Sequence, residues 1–357
     1  MTRILLLDSS DRGGIATYRK VWRESALAAG FDVLDATPEA QADLRLASHA
    51  WLPGRRIRDR PKFYVGRLRE VGTALGVALR SRRVVDIAHF QTSIAPRFDV
   101  QLARLYQRAG VRVVVTLHDV LDHDTGAPHR LVPLAAVADK VLVHSVSAQD
   151  ELAKHGVRAT VVYVDLAFGL NQSRIPQAAA RSTVGIIDGS KVILLFGLLR
   201  PYKGLPFLLD VWNILTAAMD NTYDLTLLLV GQSNGDVGPI LTRLVSAGAE
   251  LREGFVDEGD VDTWLAAADV VVLPYTRGSH SGVLQRAVGL GVPVLASPAL
   301  EEEANRFGAT VLPLEPEIWA QWLSQVIDSP LPAGKAGRPA AVTNRHAIDR
   351  SYKDLVR

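Results

Sequence analysis

Arg200 and Lys203 stand three residues apart in Phe196-Gly197-Leu198-Leu199-Arg200-Pro201-Tyr202-Lys203-Gly204, directly after the apolar run 192–195. A guanidinium offers a planar fork for two phosphate oxygens, and an ammonium adds a movable point charge. At a loop-to-helix junction the pair could converge on one anion; taken alone, they could equally be two solvated charges. A second anion signal lies downstream. The apolar strand 270–273 runs into Thr276-Arg277-Gly278-Ser279-His280-Ser281, and a helix of small and apolar residues follows. Short polar and glycine residues at a strand-to-helix junction leave backbone N–H groups free, and the helix dipole favours an anion there. The candidate donors are Ser279, His280, Ser281, Gly282 and Val283, with Ser281 as N-cap; an ordinary helix cap is the alternative. A single anion held by both segments suits a diphosphate.

Three further positions could meet a ligand. His118 ends the run 113–117, at the strand end where ligands bind in parallel α/β sheets; a satisfied buried histidine is the other reading. Gly13-Gly14 follow the first strand and open a helix, and glycine lets a backbone come close to a ligand. No G-x-G-x-x-G is present, which disfavours a dehydrogenase. Phe255, in Glu253-Gly254-Phe255-Val256, could pack on a planar ring or serve a core. Asp122-His123-Asp124 and Asp260-Val261-Asp262 each spell D-x-D, a pairing that arises easily by chance, so no metal site is assigned.

Elements must position these groups, and 357 residues exceed one ordinary core, so two domains are expected. At 48% hydrophobic residues the chain can bury two cores. A formal charge of +2 argues against nucleic-acid binding driven by net charge. With no cysteine, thiolate metal sites, disulfides and cysteine nucleophiles are excluded, and a cytoplasmic location fits. Met1-Thr2-Arg3 leads straight into a strand with no signal-peptide pattern, and no apolar run reaches the ~18 residues of a membrane span. Charge is uneven: residues 51–83 carry ten Arg/Lys against Asp59 and Glu70, a net of +8. That stretch reads as a solvated face, or as a surface (55–83) meeting an anionic membrane or a phosphorylated acceptor.

Strand-like runs at 3–7, 85–89, 111–117, 141–144 and 160–164 alternate with helix-like segments such as 18–29, 99–109 and 147–154. The rhythm resumes at 192–196, 225–230, 270–273, 294–296 and 310–312. Apolar strands alternating with helices predict parallel sheets covered on both faces, and two such sets predict two doubly wound, Rossmann-like domains. The expected division is 1–170, a linker at 171–190 rich in turn-forming residues, and 191–342. A weak region, 330–339, precedes a final helix at 343–357.

Six segments in order resemble glycosyltransferase family 4, retaining enzymes of the GT-B fold that use nucleotide-sugar donors. Residues 10–17 (SSDRGGIA) look like its glycine loop, and His118-Asp119 like its "HD". Ala138-Asp139-Lys140-Val141-Leu142-Val143-His144-Ser145 matches "AD-x-V-x-V-H-S". Residues 196–204 resemble "FG-x-x-R-x-YKG", 253–256 the nucleobase-contacting segment, and 279–293 "S-x-SGV…G-x-PV". The resemblance implies two sheets facing across a cleft, with the last helix crossing back onto the first domain. It implies a sugar moved from a nucleoside-diphosphate donor to a hydroxyl acceptor in a glycolipid, polysaccharide or small metabolite, without metal or cofactor. His118 would lie near the donor sugar, with His123 as a second histidine, and Arg200 and Lys203 would carry the diphosphate. Gly13 and Gly14 would touch phosphates or acceptor, and Phe255 and Val256 the base. The chain departs from the pattern where the family carries Glu-x7-Glu: Gly278 and Arg286 occupy those positions. A branch with S-x-SGV shares that loss. Arg286 could meet a phosphate or solvent, and a degenerate, non-catalytic nucleotide binder is the alternative function.

Overall fold

Continuous apolar strands demand cover on both faces, and both sheets of this protein have it. The computed structural model describes residues 1–8, 13–36, 85–93, 96–122, 125–165, 175–187, 189–218, 224–328 and 340–355. The basic stretch 55–83, residues 10–12 of the glycine loop, His123, Asp124 and the segment 330–339 lie outside them. Two units divide the chain: Met1–Asp122, Ala127–Ala167 and Ala341–Arg357 form the first, His123–Gly126 and Phe168–Ala340 the second.

In the first unit the strands are β1 (Arg3–Leu7), β2 (Asp32–Ala36), β3 (Ile87–Phe90), β4 (Arg112–Leu117), β5 (Lys140–Val143) and β6 (Thr160–Tyr163). They pair in parallel in the order β2-β1-β3-β4-β5-β6. Its helices are α1 (Gly13–Ala28), α2 (Pro96–Arg108), α3 (Val132–Ala135) and α4 (Ser147–Lys154). The connecting segment carries α5 (Gln177–Val184), with Ala180 buried, so this part of the expected linker is a packed helix. In the second unit follow β7 (Lys191–Phe196), α6 (Leu205–Ala218), β8 (Leu225–Gly231), α7 (Gly238–Ser246), β9 (Glu250–Glu253), α8 (Val261–Ala267), β10 (Val270–Leu273), α9 (Gly282–Gly289), β11 (Val294–Ala296), α10 (Glu301–Phe307), β12 (Thr310–Val311) and α11 (Pro316–Asp328). The sheet order is β12-β11-β10-β7-β8-β9, again parallel. Helix α12 (Ala340–Tyr352) returns to the first unit.

Strand periodicity of two assigns each side chain to a face. In β7, Ile193 and Leu195 join one core with α6 and α11, while Val192, Leu194 and Phe196 join another with α9 and α10. Burying each such side chain contributes roughly 1.5–3 kcal/mol. The same aspartate device closes both sheets. Asp139, just before β5, takes the Val113 N–H at 2.8 Å, and Asp269, just before β10, takes the Val192 N–H at 2.7 Å. Asp269 also pairs with Arg181 of α5 at 2.7 Å, which fixes the connecting helix to the second sheet.

The return of α12 explains a polar patch inside the first unit. Trp22 Nε1 donates to the Tyr352 hydroxyl at 2.7 Å, and an indole N–H can only donate. The Tyr352 hydrogen therefore goes to His89 Nδ1 (2.5 Å), and His89 Nε2–H donates to Thr116 Oγ1 (2.7 Å). Lys140, buried, donates to the Arg350 carbonyl at 2.8 Å and to Asp354, a cation placed at the helix end that favours it. Burial pushes the His89 imidazole down to about 3, and neighbouring His118 adds to this. An imidazole depressed in the folded state stays neutral there, while the unfolded chain takes up a proton below its ordinary value of 6.5. Stability is thus complete above about pH 6.5 and falls by up to ~1.4 kcal/mol per pH unit as the pH drops toward 3. In urea unfolding followed from pH 7.5 to 4.5, His89→Gln is expected to be less stable at pH 7.5 but to lose less on acidification than wild type.

Candidate functional site

The second sheet reverses its winding between β7 and β10. These strands are neighbours, with Val270 opposite Ile193, yet α6 leaves β7 on one face and α9 leaves β10 on the other. Loops diverging from two adjacent carboxyl ends leave a crevice between them, the position where open α/β sheets bind ligands. The loop after β7 carries Arg200 and Lys203; the loop after β10 carries Ser279 to Ser281.

The two loops are joined. Thr276 N–H donates to the Tyr202 carbonyl at 2.8 Å. Gly204, at φ +72°, ends the 3-10 turn Pro201–Lys203, and a Cβ there would collide with the Pro274 carbonyl. Only glycine takes that backbone conformation at so close an approach. Gly197 presents a bare Cα to the crevice: a Cβ on it would lie 3.5 Å from Lys203 Nζ and 3.8 Å from Val283 Cγ2. The ammonium and the first turn of α9 therefore flank one glycine face, so the two anion signals of the sequence converge.

Lys203 is 4% exposed. Its Nζ donates to the Tyr275 hydroxyl and to the Phe196 carbonyl (3.4 Å), and lies 4.3 Å from the Tyr275 ring centroid. No carboxylate is within ion-pair distance of it among the described residues. Burial pushes this ammonium below the ordinary lysine value; Tyr202 opposes the shift and Arg200 adds to it. Arg200 Nε is buried with no hydrogen-bond partner. Neither Arg200 nor Lys203 is ion-paired to a carboxylate among the described residues.

At the start of α9, Ser281 is the N-cap, its Oγ accepting from Leu284 N at 3.4 Å. Its own N–H is engaged: buried Glu303 takes it at 2.6 Å and Gln285 Nε2 at 2.7 Å. The amides of Gly282 and Val283, in the first turn, have no acceptor within the helix. Ser279 Oγ and His280 Nδ1 lie 3.1 Å from each other.

Phe255 follows β9, the edge strand beside β8, and is 48% exposed, so it is a surface aromatic rather than a core one. Val256 packs against the α9-side core. Arg286 is not the solvent-exposed helix arginine the sequence allowed. It is buried, with Nε on Asp262 at 2.7 Å and Nη1 on Glu258, so α9 is bolted to α8 and the loop before it. Asp262, second acid of one D-x-D, is thereby accounted for.

Gly13, Gly14 and His118 belong to the first unit. Gly13 opens α1, and space around the Gly14 Cα is open to 4 Å. His118 packs edge-on to Tyr18 of α1, centroids 5.0 Å apart. Its tautomer follows from two hydrogen bonds. His144 Nδ1 lies 2.9 Å from the Val164 carbonyl, which can only accept, so Nδ1 carries hydrogen and a neutral His144 has its lone pair on Nε2. That nitrogen is 3.1 Å from His118 Nδ1, which must then carry hydrogen. Neutral His118 thus has its lone pair on Nε2 and is an acceptor there.

Tyr275, Glu303 and Gln285 went unmarked in the sequence. Tyr275 had a signal, a hydroxyl-bearing aromatic two residues beyond an apolar strand. Glu303 had none, because its role depends on α10 packing against α9.

Residues 190–329 match the family model described as Glycosyl transferases group 1. A D-inositol 3-phosphate glycosyltransferase from Streptomyces avermitilis is 26% identical over 269 residues, covering 68% of this chain and 57% of its own length. The chain thus spans little more than half of that relative. Among solved structures, sucrose-phosphate synthase from Thermosynechococcus elongatus superposes with a TM-score of 0.69 at 17% identity, covering 99% of this chain and 96% of its own. Anabaena HepE in complex with UDP and glucose gives 0.65 at 18% identity, covering 99% and 96%. These are GT-B glycosyltransferases, and the chain shares their fold.

Gly204→Ala should open the contact with Pro274 and separate the loops, lowering the thermal midpoint by several degrees, whereas Gly14→Ala, in open space, should leave it nearly unchanged. For His118, nitrogen NMR at pH 8 should show a protonated Nδ1 and an unprotonated Nε2; the reverse pattern would refute the His144 relay.

Proposed function

We propose that the protein is a retaining glycosyltransferase that moves a sugar from a nucleoside-diphosphate donor to a hydroxyl acceptor. The observation that carries the reading is the pair Arg200 and Lys203, two cations without an acidic partner among the described residues, at the switch-point crevice. As the anomeric C–O bond breaks, negative charge grows on the departing β-phosphate. Lys203 Nζ, the Arg200 guanidinium and the Gly282 and Val283 amides are arranged to take that charge in a site sheltered from water, where such contacts are strongest. The acceptor oxygen forms the new bond to the anomeric carbon, and its proton passes to an oxygen of the leaving phosphate. This front-face route needs no carboxylate nucleophile, in keeping with Gly278 where the resembled family's pattern has an acid. His118 Nε2 would accept a hydrogen bond from a sugar hydroxyl, and Phe255 would lie against the base.

The name of the D-inositol 3-phosphate relative supports a phosphorylated small-molecule acceptor. The basic stretch 55–83 supports an anionic one, whether a phosphorylated molecule or a membrane surface. We read the chain as metal-independent and cytoplasmic, with peripheral membrane contact through that stretch. No helix among the described residues is long and apolar enough to cross a membrane.

A thermal-shift screen of UDP, GDP, ADP and TDP and their sugars should find one nucleotide that raises the melting temperature. Arg200→Ala/Lys203→Ala should abolish that shift and reduce transfer by at least ~100-fold, since each charged contact is worth about 1.5–3 kcal/mol. A double variant that binds donor normally would refute the assigned site.

A further inference from the structure

We propose that Tyr275 is a positioning residue that turns the Ser281 hydroxyl into a hydrogen-bond donor for the diphosphate; this rests on the donor-site reading above. The argument is one of hydrogen-bond direction. An ammonium has only hydrogens to give, so in the contact between Lys203 Nζ and the Tyr275 hydroxyl the phenol oxygen accepts. The Tyr275 hydrogen must then be donated elsewhere, and the neighbouring acceptor is Ser281 Oγ at 3.3 Å. Leu284 N–H also donates to that oxygen, at 3.4 Å. Ser281 Oγ thus receives two hydrogens from the protein, and its own remains to be given away. It sits at the N-cap of α9, the end that flanks Gly197 opposite Lys203.

The order of donation runs Lys203 to Tyr275 to Ser281 to ligand, and each bond polarises the next. The phenol is held for this work. Tyr275 is 3% exposed, its carbonyl accepts from Ser297 Oγ at 2.6 Å, and its ring stands edge-on to Tyr202 at 5.4 Å. Burial pushes its hydroxyl well above the ordinary tyrosine value, with Ser281 opposing and Glu303 adding to the shift, so it stays protonated as the order requires. With Ser281 N–H engaged by Glu303, the hydroxyl is the part of this residue that can serve a phosphate.

The test is a double-mutant cycle on affinity, by calorimetry, for whichever of UDP, GDP, ADP and TDP binds wild type most tightly. Tyr275→Phe and Ser281→Ala should each weaken binding about 10-fold, and the double variant by about the same factor rather than ~100-fold, because the two act as one unit. Ser281→Gly, which retains most of the capping preference, guards against a folding defect and should match Ser281→Ala. Affinity for the matching nucleoside without phosphates should not change in any variant. Wild-type affinity in Tyr275→Phe, or losses that multiply, would overturn the relay while leaving the donor site intact. Failure of wild type to bind any of the four, or Lys203→Ala binding normally, would sink the donor-site reading and the relay with it.

Discussion

A buried ammonium with no carboxylate partner among the described residues is the constraint around which the second unit is arranged. Burying an unpaired charge is expensive, and proteins ordinarily meet the cost with a carboxylate. Lys203 instead has a phenol, a peptide carbonyl and an aromatic face. The fold keeps it there by topology: strands β7 and β10 lie side by side, and their loops are clamped by the Thr276–Tyr202 hydrogen bond and the Gly204–Pro274 contact.

Acids nearby are directed elsewhere. Glu303 is tied to Ser281 N–H and Gln285, and Asp262 and Glu258 are tied to Arg286. Arg286 is therefore a structural bolt between α9 and α8 with its preceding loop.

Much of this was legible in the sequence. Strands at 3–7, 270–273 and 294–296 were bounded correctly because unbroken apolar runs between turn residues leave little choice. Strands β2 and β9 were not foreseen: DVLDA and ELRE carry acids and sit at sheet edges, where half the surface need not be apolar. The convergence of Lys203 with the start of α9 could be expected from the two strand-loop-helix junctions. The roles of Arg286 and Glu303 could not, since each depends on contacts between helices that local pattern does not encode. His144 was visible as a motif letter, but its control of the His118 tautomer needed the Val164 carbonyl in place.

The most direct measurement is a crystal structure with the nucleoside diphosphate bound. The diphosphate oxygens should lie about 3 Å from Lys203 Nζ and from the first-turn amides of α9, with the Arg200 guanidinium turned toward them. A diphosphate bound elsewhere, with Lys203 still facing only Tyr275 and Phe196, would contradict the account.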